Sequence, residues 1–466
     1  MTGISMGSRA RTAVAVALAA GLALSVSGCG SSSAGSGSGS ASAGATAGPV
    51  TISVGCEPPT TQASARKNWL ADVADFEKLN PTITIKSDDT NPCDDPATFN
   101  AKLASGKMDD VFYTYFTDGT NVVNSGQAAD IQKYASQITD VKDIQSALLN
   151  VYRKGNTESG DLYGIPTGNY SLGLVYNKAL FTQAGLDPNS PPTTWDQVES
   201  DAIAISKLGK GIVGYGDYSA ANTGGWHFVA EDISRGGSIV SADGKSSAFD
   251  DANGLATLQY LQKLRFTDNV MGTKQGLQYN DLLQMMAQGK LGMYVGAPDN
   301  LTAIHSTYKT PYTDLAVGPM PGESATLAGG SGYMFNKHDT PAQIAAGIKF
   351  INYEFMTSGL GQFNYARKAA SGEPVGLPEP DMWTGAAATA DQAKVEKYAN
   401  IPTTNFTAYV AAMPNMKITL EPPQAQAIYA QGDKAMDAAL TKPGANLQQL
   451  LDTFKGQADS ILANAQ

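Results

Sequence analysis

The chain has 466 residues, 42% of them hydrophobic, with 32 Lys and Arg against 43 Asp and Glu and a net charge of −11. That length exceeds what a single core sustains, so two lobes are expected. The acidic balance, with no basic run, excludes non-specific nucleic-acid binding and adhesion to anionic lipid by charge alone.

The first residues read as a secretion signal. Arg9 and Arg11 supply its charge, residues 12–26 an apolar core too short for a membrane span, and Val26-Ser27-Gly28-Cys29 follows. Those four residues resemble a bacterial lipobox, with Val where Leu is commoner, which implies that Cys29 becomes the lipidated first residue of the mature chain. A plain cleaved signal is the alternative. Removing residues 1–28 takes away two arginines and no acid, which leaves a charge of −13. Residues 30–48 are almost wholly Ser, Gly and Ala. Such a segment cannot bury enough apolar area to order itself and spans roughly 25 Å as a coil, the reach of a membrane tether. With Cys29 lipidated, Cys56 and Cys93 remain as a pair in an oxidising compartment. A disulfide is expected there, stabilising by roughly 3 to 4 kcal/mol; two free buried thiols are the alternative. Only His227, His305 and His338 exist, none near a Cys in sequence, so no metal site is expected, and no cofactor either.

The body opens with a βαβ pattern. Residues 50–54 alternate as a strand, residues 63–79 form a helix with Trp69, Val73 and Phe76 on one face, and Ile83 and Ile85 mark a second strand, parallel to the first. A helix begins at Asp95-Pro96, residues 110–113 form a third strand, and Tyr115-Phe116-Thr117-Asp118-Gly119 is the loop beyond it. Residues 172–176 are an apolar run, the pattern of a strand covered on both faces. Asn177 can cap a short helix over 178–184 that stops at Gly185, with Leu186 folding back on it. After the prolines, Thr194 and Gln197 have capping-box spacing, and Val198, Ala202, Ile205 and Leu208 share one helical face.

Residues 211–216 read as a strand and residues 241–245 as a turn. Two helices follow, one through Leu255, Leu258, Leu261 and Leu264 and one through Leu282, Leu283 and Met286, then a strand at 291–295 and a turn through Asp299 into a helix. Residues 314–317 and 332–335 read as strands returning to the first lobe. The next helix has Thr340 and Gln343 as its capping box and Ile344, Ile348, Ile351 and Phe355 inward. Residues 371–381 are rich in Gly and Pro, and residues 447–462 form a last amphipathic helix. The expected layout is residues 49–166 and 315–370 in lobe 1, and residues 167–314 and 371–466 in lobe 2.

Gly164-Ile165-Pro166, then Leu174-Val175-Tyr176-Asn177-Lys178, Phe181-x-x-Ala184-Gly185-Leu186 and Pro191-Pro192-Thr193-Thr194-Trp195-Asp196 stand in order within one stretch. This stretch resembles the interlobe segment of the extracellular solute-binding proteins of ABC importers, in particular their sugar-binding, maltose-binding-protein-like group. The likeness extends to the opening βαβ unit, the region 285–294, and Val317-Gly318-Pro319-Met320-Pro321-Gly322 ahead of Gly329-Gly330. It implies an α/β fold of two lobes, the type II periplasmic-binding-protein-like architecture, each lobe a sheet flanked by helices with the ligand between them. It also implies a monomer that holds a saccharide, serves ABC permease transmembrane subunits and stays at the outer face of the membrane by its lipid, with no catalysis.

Sugars present apolar C–H faces to flat rings and hydroxyls to paired donors and acceptors. Tyr115 and Phe116 with Asp118, Asn169 with Tyr170, and Trp226 with His227 are such sets on expected loops. By the resemblance, Gly330 and Ser331 in a Gly-rich loop, Glu57 just past the first strand, and Asp299 at a helix start line the same cleft. Trp383, in an irregular Pro-rich segment, is a further candidate. Each also has a plainer reading: rings beyond a strand pack at rims, and Asp118 and Asp299 can cap helices.

Three motif matches are set aside. Gly209-x-Gly211-x-x-Gly214 follows a helix and enters a strand, the reverse of a dinucleotide fingerprint. Gly244-Lys245-Ser246 has Ile239 where a phosphate loop needs Gly, and Gly329-Gly330-Ser331-Gly332-Tyr333 lacks the last Gly of a nucleophile elbow. A different solute (glycerol phosphate, a polyamine, a peptide), a secreted carbohydrate-active enzyme and a structural surface lipoprotein remain open from sequence.

Overall fold

The computed structural model describes residues 48–60, 62–87, 96–322 and 325–464. The secretion signal, Cys29, nearly all of the linker, and Cys93 lie outside these, and with them the lipidation site and one half of the expected disulfide.

Among the described residues, ten strands form two sheets. The first holds β1 (Val50–Val54), β2 (Ile83–Ser87), β3 (Val111–Tyr115), β4 (Gly164–Ser171), β9 (Ala325–Phe335) and β10 (Lys417–Leu420). The second holds β5 (Gly173–Asn177), β6 (Val213–Tyr215), β7 (Leu291–Gly296) and β8 (Leu315–Gly318). β1 and β2 run parallel with Val50 opposite Ile83, as the opening pattern requires, and the helix Ala63–Leu79 covers them with buried Trp69 and Phe76. β3 and β4 both run antiparallel to β9, and β5 lies antiparallel between β7 and β8. Every residue of β5 and β7 is buried, which is why both read as continuous apolar runs.

Several local expectations are met atom by atom. Asn177 accepts a hydrogen bond from the Leu180 amide, and Gly185 takes φ 76° while the Leu186 amide donates to the Phe181 carbonyl. Thr194 with Gln197, and Thr340 with Gln343, each make both bonds of a capping box.

β4 and β9 join the two lobes. Ile165, Tyr333, Met334 and Phe335 belong to the core of the first lobe, built on the first sheet. Leu172, one residue past β4, and Leu327, near the start of β9, belong to a core of the second lobe. The pairing shifts register between Pro166 and Gly168, so the proline, which has no N–H to give, sits at an irregularity in the ladder.

Two expected lobe assignments differ from what is observed. β8 pairs with β5 in the second sheet and does not return to the first lobe; four apolar residues carry no information about which sheet they join. Met382 and Trp383 pack in the first-lobe core, where residues 381–384 are strapped to 143–145 by Gln145 N to Met382 O and Thr384 N to Asp143 O, at 3.1 and 2.7 Å. The helix Gly385–Tyr398 stays on that side through Asp391, which accepts from Ser358 and Tyr365.

Candidate functional site

Tyr170, near the end of β4 where the chain passes between lobes, is the centre of the candidate site. Its hydroxyl donates to Glu421 Oε2 at 3.1 Å, and its ring meets the edge of Trp226 at 6.2 Å. Glu421 Oε1 accepts in turn from the buried Tyr429 hydroxyl at 3.0 Å. Burial pushes the Tyr170 phenol well above its usual range, and the Glu421, Asp299 and Tyr115 side chains push it further. These groups therefore stand within electrostatic reach of one ring although they come from separate segments.

Four carboxyl groups share this region, each raised first of all by desolvation. Asp118, in the first turn of the helix Phe116–Asn124, is pushed up to about 6, and Glu421 to about 7 with Asp118 contributing. Glu379 is pushed up to about 7, helped by Asp299 and opposed by Lys368. Asp299 is raised as well. Asp299 and Glu379 are nonetheless exposed to solvent.

The chain places these acids by crossing. Glu379 lies between Leu377, which packs on the second lobe, and Met382 in the first-lobe core; Glu421 lies between Leu420 on the first lobe and Ala425 in the second. Both were missed from sequence. The available signal was local: Pro378-Glu379-Pro380 and Glu421-Pro422-Pro423 hold each acid between stiff neighbours in irregular backbone.

The expected residues divide into two groups. Tyr115, Asp118, Asn169, Tyr170, Trp226 and Asp299 gather around the crossing: Tyr115 pairs with Ser331 and Asn169 with Gly330 across β9. Asp299 does not cap its helix; its carboxylate accepts from Asn300 Nδ2 at 3.1 Å. Trp226 sits on the helix Thr223–Ser234, not in a polar loop, and its buried indole N–H has no acceptor. Gly224 and Gly225 are helical because the helix packs tightly there: a Cβ on Gly225 would overlap the Tyr429 carbonyl.

The remaining residues are placed as structural groups. His227 is fully buried, its Nδ1 2.7 Å from Asp217 Oδ1 and its ring 4.1 Å from Tyr218. His227 lies beside Trp226, ring centroids 5.4 Å apart, but its Nδ1 is committed to Asp217 in the interior. Phe116 is buried against Tyr152 and backs Gly330, whose missing Cβ leaves that ring its space. Gly330 and Ser331 are interior to β9, not in a loop. Trp383 packs on Phe363 at 4.9 Å in the core. Glu57 pairs with Arg66 and accepts from Ser87 Oγ at 2.6 Å, so its carboxylate is spent within the first lobe.

Among the described residues no cluster of His, Cys, Asp and Glu could hold a metal, and no helix is long and apolar enough to cross a membrane. A recess of about 160 Å³ beside Asn177, Met286 and Asp314 lies on the second lobe, away from this region.

Two sheets flanked by helices and joined by the β4–β9 ribbon make a two-lobed α/β body. The chain belongs to the bacterial extracellular solute-binding protein family, whose sequence pattern it matches over residues 59–358. A putative binding protein of Brucella abortus (strain 2308) is 27% identical over 163 residues, 34% of this chain and 37% of that protein; the chain thus aligns with little more than a third of the curated relative. An ABC transporter solute-binding protein from Thermotoga lettingae TMO, bound with α-D-tagatose, superposes with a TM-score of 0.70 at 19% identity, covering 88% of this chain and 99% of that one. UgpB from Mycobacterium tuberculosis, in complex with glycerophosphocholine, gives 0.67 at 18% identity, covering 90% and 99%. At these identities the likeness establishes the fold, and the solute has to be argued from the side chains.

Proposed function

We propose that this protein is the receptor of an ABC importer, tethered outside the membrane by lipid on Cys29, and that it captures a saccharide between its lobes for delivery to the permease. The observation that carries this reading is the set around Tyr170: aromatic rings beside carboxylates on segments that run between the lobes. Flat rings suit sugar C–H faces, and carboxylates suit hydroxyl donors. Because these groups sit on crossing segments, a bound solute touches both lobes and favours the closed arrangement by its differential affinity. The chain acts as a monomer and carries out no chemistry on what it holds.

A phosphate-bearing solute is disfavoured by the arginines. All five described ones are engaged elsewhere: Arg66 with Glu57, Arg235 with Glu231, Arg367 with Asp72, and Arg153 and Arg265 with backbone carbonyls. A Cys56–Cys93 disulfide at the edge of the first lobe belongs to the same proposal. Alkylation of unfolded, unreduced protein should leave both thiols unmodified, and modification of either would overturn the pairing.

The deciding experiment is thermal unfolding against a panel of mono- and oligosaccharides. A solute at a hundred times its Kd stabilises the fold by about 2.7 kcal/mol, a rise of roughly 3 °C for a body of this size. A flat panel with well-folded protein would refute the saccharide reading, and release of product from an oligosaccharide would refute the receptor reading.

A further inference from the structure

We propose that Asn121 and Gln424 form a clasp between the lobes that keeps the empty protein largely closed, so that a solute meets lobes already drawn together. The two are positioning residues, acting through the arrangement of the lobes. The inference rests on the receptor reading and on no particular solute.

The first observation is a hydrogen bond from one lobe to the other. Gln424 Nε2 donates to Asn121 Oδ1 at 2.5 Å. Asn121 lies on the helix Phe116–Asn124, whose Phe116, Val122 and Val123 pack in or on the first-lobe core. Gln424 precedes the helix Ala425–Thr441, whose Ala425, Ile428 and Tyr429 are in a second-lobe core. Such a bond is lost beyond about 3.5 Å, so it is kept only while these two helices stay together.

The second observation is what Gln424 gives up. It stands at the N-cap of its helix, where a polar side chain can accept from the open first-turn amides, yet it makes no such bond. Its backbone is left-handed, with φ 65°, a conformation that costs a residue with a Cβ. A strained position of this kind persists where its surroundings hold it. Here the side chain is spent on the other lobe.

The third observation is the stiffness of the approach. Glu421 is tied to β9 by its amide, which donates to the Ala328 carbonyl at 2.9 Å, and to β4 by the Tyr170 hydroxyl at 3.1 Å. A Cβ on Gly329 would come within 2.3 Å of Glu421 Oε2, so these crossing segments touch without spare room. Pro422 and Pro423 then fix two successive φ angles ahead of Gln424. Opening about the crossing segments is therefore passed on to the Asn121–Gln424 bond and is not absorbed by a slack loop. Loss of one neutral hydrogen bond shifts the ratio of closed to open molecules about fivefold, and a receptor that rests closed spends less of a solute's affinity on closing.

The test is small-angle X-ray scattering of the full chain without solute, compared with the profile of this structure carrying a flexible tether. The unaltered protein should match that profile. Asn121→Ala and Gln424→Gly should each enlarge the radius of gyration, and the double variant should be no larger than either, because each removes the same bond. Alanine suits a helix interior and glycine a positive φ, so both variants should still melt cooperatively. An unaltered protein that is already open, or variants that scatter as it does, would overturn the clasp and leave the receptor reading standing. A double variant more open than either single one would overturn it too. No solute is used, so a flat sugar panel would count against the saccharide reading and leave this comparison intact.

Discussion

Glu231→Gln is the substitution whose effect follows most directly from the structure. Glu231 is fully buried on the helix Thr223–Ser234, where Oε1 accepts from the Tyr215 hydroxyl at 2.6 Å and Oε2 stands 3.6 Å from Arg235. Desolvation and the buried Asp217 carboxylate push it from 4.5 up to about 8. Asp217 is held on its other side by His227, which burial keeps neutral by lowering it to about 3. Asp217 Oδ2 and Glu231 Oε2 both lack a donor, which a proton on Glu231 would provide. Between pH 4.5 and about 8 the folded protein keeps a proton that the unfolded chain gives up, so stability is full below 4.5 and falls as pH rises through that window. At 1.36 kcal/mol per pH unit the loss is on the order of 5 kcal/mol by pH 9, equivalent to roughly 5 °C in a body whose unfolding entropy is about 0.9 kcal/mol/K. Glutamine keeps the acceptor for Tyr215 and a donor toward Asp217 but cannot ionise. Denaturant titrations from pH 4 to 9 on both proteins should give a difference that is flat below pH 4.5, grows in favour of the variant, and levels above pH 8. The His227 contribution, lost as pH falls from 6.5 toward 3, cancels in that difference. Parallel curves across the window would refute a shared buried proton.

Trp226→Ala should weaken solute binding about 10- to 100-fold by calorimetry while the protein still unfolds cooperatively, at a cost of about 3 kcal/mol for the lost packing on both second-lobe cores; unchanged affinity would remove Trp226 from the site. Two glycines in the helical regions should respond with opposite signs. Gly225→Ala, where a Cβ would overlap the Tyr429 carbonyl, should lower stability by more than about 3 kcal/mol. Gly456→Ala, within the helix Leu447–Asn464 and with nothing within 4 Å, should raise it by about 0.5 to 1 kcal/mol. Paired melts of these two would expose a wrong helix packing at once, since a neutral Gly225→Ala is incompatible with the contact. Phe454→Ala, which removes the stack on Phe249 at 4.2 Å, should cost about 3 to 5 kcal/mol in denaturant titrations.

Capping boxes, the Gly185 stop, the parallel opening unit and the inward faces of the helices were all legible in the sequence, because each depends on groups within a few residues of one another. Tyr170, Asp118 and Asp299 could be named as candidates because a ring or acid near a strand end is a local feature, whereas Trp226, expected in a loop, lies on a helix. Three things were decided only in the tertiary structure. Burial assigned His227 to Asp217, Trp383 to the first-lobe core and Glu57 to Arg66, and no spacing in the sequence distinguishes a ring or acid facing a cleft from one facing a core. The second was the partner of β8: a strand of four apolar residues fits either sheet, and which one it joins is settled by long-range pairing. The last was the meeting of Glu421 with Tyr170, residues separated by 251 positions. Side-chain chemistry is written one residue at a time, but a carboxyl group's desolvation and its neighbours' charges arise only where crossing segments bring distant parts of the chain together.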